Sequence, residues 1–100
     1  MSIEVVETGD LKNVEAQATS LIGSGKVRAL LVHLEAGKSL DPCEMACPVL
    51  YYVIEGQAVL SVGEERASLK AGSLTVVPAG AVRSIAARQH VRVLAVQSLS

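Results

Sequence analysis

Three sulfurs fall within five residues, at Cys43, Met45 and Cys47. Thiolate and thioether are soft ligands that select Cu(I), so this run offers a soft-metal site. The thiols carry a second chemistry. A cation close to Cys43 would pull its pKa below about 8.5 and favour the nucleophilic thiolate. No general base stands at a recognisable spacing, so a cysteine nucleophile lacks its partner. The plain alternative makes Cys43 a small apolar side chain. Cys43 and Cys47 are too few for a disulfide framework and could bridge only under oxidation. His33 and His90 lie on segments distant from the sulfurs. Each reads as structural or exposed. Glu64, Glu65 and Arg66 read as a solvated hairpin tip.

The elements that must position these residues are short apolar runs punctuated by glycine. Lys26–Glu35 and Val49–Ile54 are the strongest strand candidates. Weaker ones are Ile3–Val6 at an edge, Thr19–Ile22, Ala58–Val62, Arg66–Leu69, Leu74–Val77, Val82–Ala86 and His90–Gln97. Residues 9–18 are mixed and read as a turn or an arm. Turn signals recur every 8–12 residues, the spacing of an all-β sandwich or barrel. No segment sustains a 3.6-residue period, so very little helix is expected.

Composition narrows the class. One hundred residues make one domain, 1–100, with a barrel core at about 26–97 and an N-terminal arm at 1–25. Half the residues are hydrophobic and 19% are charged, which excludes a disordered chain. Phe and Trp are absent, so the core must be Val, Leu, Ile and Ala, a composition suited to strands. A net charge of −1 gives no pull toward nucleic acid or acidic membranes. No apolar run reaches the ~18 residues of a membrane span, and the N-terminus lacks a signal-peptide pattern; the cytoplasm is the default.

The strand at Lys26–Glu35 is apolar on both faces. Val27, Ala29, Leu31 and His33 alternate with Arg28, Leu30, Val32 and Leu34. One face belongs to the core and the other needs cover. A homodimer burying it is the expectation, against a monomer covered by its own arm.

Glycine and proline sit at fixed offsets. From Gly37, five residues lead to Cys43-Glu44-Met45, three more to Val49 and six more to Gly56. From Gly72, five residues lead to Pro78-Ala79-Gly80, two more to Arg83 and three more to Ala87. This skeleton resembles the two motifs of small single-domain cupins. The resemblance covers about 26–97. It implies an all-β fold, an antiparallel double-sheet jelly-roll barrel. In that family, histidines and a glutamate at these positions hold a metal. Here they are Cys43, Met45, Val49 and Arg83. The expectation is therefore a site without iron, manganese, zinc or nickel, with no cofactor assigned.

If the resemblance holds, Cys43, Met45 and Val49 point inward with Arg83 facing them, and Tyr51 shares their parity. The implied pocket has changed sign, losing a glutamate and gaining a guanidinium. Arginine cannot neutralise itself. An unpaired buried one costs several kcal/mol and needs a carboxylate or a bound anion. Arg83 therefore either binds a small organic anion, or reaches the barrel mouth, or pairs with Glu44 or Glu55. Tyr51 either offers its hydroxyl to a ligand or fills core space. Two function classes stay open: a metal-independent binding protein for a small organic anion, and an enzyme with a soft-metal or thiol site at Cys43 and Met45.

Overall fold

The computed structural model describes Val5, Glu7, residues 18–24 and residues 26–98. The edge strand expected at Ile3–Val6 lies outside the continuous described segments. Nine strands follow in chain order: β1 (Ala18–Ser24), β2 (Val27–Leu34), β3 (Cys43–Glu44), β4 (Val49–Glu55), β5 (Gln57–Val62), β6 (Glu65–Lys70), β7 (Leu74–Val77), β8 (Val82–Ala87) and β9 (Val91–Ser98). Among the described residues there is no helix. The pairing is antiparallel throughout. One sheet has the order β1-β2-β9-β4-β7 and the other β3-β8-β5-β6.

The Val-rich strands bury alternate residues between the sheets. Val49, Tyr51 and Val53 of β4 meet Val91, Val93 and Ala95 of β9, with Leu60 and Ile85 supplied by the second sheet. This is the double-sheet jelly roll that the motif spacing predicts. Val32 and Leu34 join the same core, which is the inner face of β2.

Two corrections concern boundaries. Gly23 and Ser24, read from sequence as a turn, continue β1. The two-residue strand β3, which has no counterpart among the sequence candidates, pairs with the start of β8.

The turns have a physical cause. Gly56, between β4 and β5, has φ +89°, and a Cβ there would lie 2.0 Å from the His90 carbonyl oxygen. Only glycine fits both the left-handed backbone and the close approach. This packs the β4–β5 turn against the chain entering β9. At the other end of β5, Gly80 (φ +83°) closes the Pro78–Gly80 turn, and its N–H donates to the Met45 carbonyl at 2.9 Å.

Candidate functional site

Arg83 is the second residue of β8 and points between the sheets, 2% exposed. The Pro78–Gly80 turn folds over it. Its Nε donates to the Ala81 carbonyl at 3.0 Å, and Nη2 donates to the Pro78 carbonyl at 3.2 Å. Nη1 donates to the Tyr51 hydroxyl at 3.3 Å. All three acceptors are neutral. Among the described residues no carboxylate lies within ion-pair reach of Arg83. Neither Glu44 nor Glu55 partners it, contrary to one expectation. Glu44 is exposed, and Glu55 instead lies 3.6 Å from Arg92 Nη1. Nor does Arg83 reach solvent at a mouth.

The other site candidates fall in different environments. Tyr51 is buried beside Arg83, in register with Thr75 of β7. Met45 is half-buried and packs against the core, which Val49 joins as a fully buried member. Cys43 is the correction. It lies directly opposite Arg83 in the β3–β8 register, yet it is exposed rather than inside the sandwich. Its strand is a two-residue edge with exposed neighbours at Asp41, Pro42 and Glu44. Cys47 is buried, and both thiols are free. The three sulfurs are thus exposed, half-buried and buried, and do not share one environment.

A cleft of about 230 Å³ opens beside the Arg83–Tyr51 pair, between β5–β6 and β7. Its lining is mixed: Leu60, Val62, Val77 and Pro78 are apolar, Thr75 is polar, and Glu65 and Arg66 of β6 bring both charges to it. Val62 is the register partner of Arg83 and Thr75 that of Tyr51. Two residues of the cleft wall are thus strand neighbours of the pair, and Arg83 and Tyr51 themselves lie behind it.

A second donor cluster sits at the opposite end of β5, on the outer face of the five-stranded sheet. His33 Nε2 and His90 Nε2 are 2.6 Å apart, and Glu35 Oε1 is 3.6 Å from His33 Nε2. Sequence reasoning passes over both histidines, because each is isolated in its own segment. The pairing of β2 with β9 brings them together, and no spacing motif announces it. The one available signal is their placement at the expected C-terminal end of one strand and the start of another.

No protein-family model matches the chain, and no curated protein sequence matches it. Solved structures do. A protein from Thermus thermophilus superposes with a TM-score of 0.87 at 23% identity, over 97% of this chain and 98% of that one. A cupin-2 domain containing protein from Shewanella frigidimarina gives 0.79 at 19% identity, over 94% of each chain. Salicylate 1,2-dioxygenase from Pseudoaminobacter salicylatoxidans gives 0.77 at 18% identity, over 81% of this chain but 24% of the enzyme. At these identities the likeness is one of fold: the chain has the cupin jelly roll.

Proposed function

We propose that this cupin-fold chain is a binding protein for a small organic anion, held at Arg83 without a metal at the fold's usual ligand positions. The observation that carries the reading is a buried guanidinium whose three hydrogen bonds all go to neutral oxygens. A buried cation without a counter-charge is costly, and a bound carboxylate or phosphate would offset that cost bidentately. Three of the five guanidinium N–H groups are committed in those bonds, which leaves two for a ligand. The Tyr51 hydroxyl accepts from Arg83 and keeps its own proton to donate. The neighbouring cleft offers apolar walls from Leu60, Val62 and Val77 together with the charged Glu65 and Arg66. At about 230 Å³ it is below the ~300 Å³ at which drug-sized pockets begin, so the ligand is small.

The donor set argues against the metal that the fold often holds. Val49 has no donor atom, Arg83 is a cation engaged by neutral oxygens, and Cys43 is exposed. Met45 alone is a weak ligand. These four do not fit an iron, manganese, zinc or nickel centre. The enzyme alternative at Cys43 and Met45 has the exposure of Cys43 in its favour, but Arg83 turns its charge inward, toward Tyr51 and the turn carbonyls.

A thermal-shift screen of small carboxylates and phosphates tests the reading. At a hundredfold excess over Kd, a ligand adds about 2.7 kcal/mol of stability. For a chain of this size that is on the order of 10 °C. At least one anion should stabilise the wild type, with the shift abolished in Arg83→Ala and reduced in Tyr51→Phe. A screen without a stabilising anion, or a shift that survives Arg83→Ala, would refute it.

A further inference from the structure

We infer that His33, His90 and Glu35 form a binding site for a divalent transition metal of the zinc class, on the outer face of the five-stranded sheet and separate from Arg83. The fold builds this cluster in two steps. Strand β2 carries His33 on its outer face, opposite Arg92 of β9. Strand β4 then bulges between Val53 and Glu55, so that Val53 pairs with Val93 while Glu55 pairs with Arg92. Strict alternation would send Glu55 inward with Val53; the extra residue re-aims it into the row of Arg92 and His33. The Gly56 turn, pressed against the His90 carbonyl, holds His90 over the end of that row.

The donor geometry fits. The two imidazoles meet edge-on, with ring centroids 4.6 Å apart and planes at 68°, so nitrogens rather than ring faces oppose each other. One ring nitrogen from each histidine and one carboxylate oxygen of Glu35 lie within 4.8 Å of one another. Bonds of 2.0–2.1 Å to a tetrahedral zinc place two nitrogens about 3.3 Å apart. The observed 2.6 Å needs only a slight parting of the rings. Two imidazoles and a carboxylate are ligands that zinc, nickel and copper accept, with water completing the shell.

Two further features favour a cation. The other nitrogen of His90, Nδ1, lies 4.0 Å from Glu55 Oε1, longer than a hydrogen bond but close enough that a small closure on metal binding would let the carboxylate orient the ring. Glu55 is thus a positioning residue. Glu35 and Glu55 also place two carboxylates within 4.0 Å of the histidines, with the Arg92 guanidinium 3.6 Å from Glu55. His90 is 42% exposed and Glu35 68%, so an ion reaches the site without opening the core.

The test is equilibrium dialysis and titration calorimetry of the untagged chain with zinc chloride alone. One zinc per chain is expected. His90→Gln and Glu35→Gln, both at accessible side chains, should keep the fold and weaken binding by more than the ~10–100-fold typical of an outer-shell loss. Glu55→Gln should weaken it within that range and keep the one-to-one stoichiometry. In ¹⁵N imidazole spectra, zinc should shift His90 Nε2 while Nδ1 keeps its proton. A Cys43→Ser, Cys47→Ser double variant should bind unchanged. Zinc retained equally in His90→Gln, zinc lost with the cysteines, or no stoichiometric zinc at all overturns the site and leaves a hydrogen bond between two imidazoles. None of these results bears on the Arg83 anion test.

Discussion

Arg83 shows how one side chain can set a chemical problem for a whole interior. A guanidinium 2% exposed is held by a turn that presents the Ala81 and Pro78 carbonyls and by one phenol. Tyr51 is one of only two aromatic residues in the chain, and its hydroxyl is the sole side-chain acceptor in that set. Removing it leaves a charged donor short of a partner in a dry environment. Tyr51→Phe should therefore destabilise the protein by about 1–3 kcal/mol. Tyr52→Phe, at an exposed neighbour, is the control and should leave the urea midpoint unchanged. Equal midpoints for the two variants would mean that the Arg83–Tyr51 contact contributes nothing to stability.

The turns and the β4 bulge decide which side chains meet. Gly56 is the clearest case, because its neighbour is the backbone of His90, which cannot move aside cheaply. Gly56→Ala should cost at least about 2 kcal/mol, combining left-handed strain with the displaced chain entering β9. Gly72→Ala has a similar φ of +91°, but the new Cβ meets nothing within 4 Å. It should cost only about 1–2 kcal/mol, the conformational part. Urea unfolding of the two variants separates the terms, and a Gly56→Ala cost no larger than that of Gly72→Ala would remove the close approach as a cause. The glycine skeleton was legible in the sequence, since turns need glycine wherever the backbone turns left-handed. The bulge was not, because an extra residue in a strand carries no composition of its own. Ile54 and Glu55 look like continued alternation until β9 is laid beside them.

For the whole molecule, the outer face of the five-stranded sheet is the open question of assembly. The register aligns Val76, Leu50, Val96 and Ala29 in one row, and Leu74, Tyr52, Leu94 and Leu31 in the next. Leu74, Val76 and Tyr52, on β7 and β4, are exposed, whereas Leu31 at the β2 end of its row is buried. Adjacent apolar rows of this kind mark an association surface, and a second copy is the occupant that needs no other component. We expect a homodimer burying about 2,000 Å² or more in total. Light scattering should give twice the 10.4 kDa chain mass, and Leu74→Lys with Val76→Glu should yield a folded monomer. A wild-type monomer at micromolar concentration would exclude the dimer. No helix among the described residues is long and apolar enough to cross a membrane.

The all-β class, the positions of most strands and the jelly-roll skeleton could be read from the sequence alone, because period-two apolar runs and left-handed turns are local properties. Arg83 and Tyr51 could be nominated the same way, through fixed offsets from Gly72 and Gly37. Tertiary structure decided the rest. It left Cys43 outside, because β3 is too short and too near an edge to be covered. It gave Arg83 neutral oxygens in place of Glu55, because Glu55 ends β4 beside Arg92 and His90, at the far end of the sandwich from Arg83. It also joined His33 to His90 across 57 residues of chain. Those outcomes depend on which strands lie side by side and in what register, and strand register is a long-range choice made by the whole core.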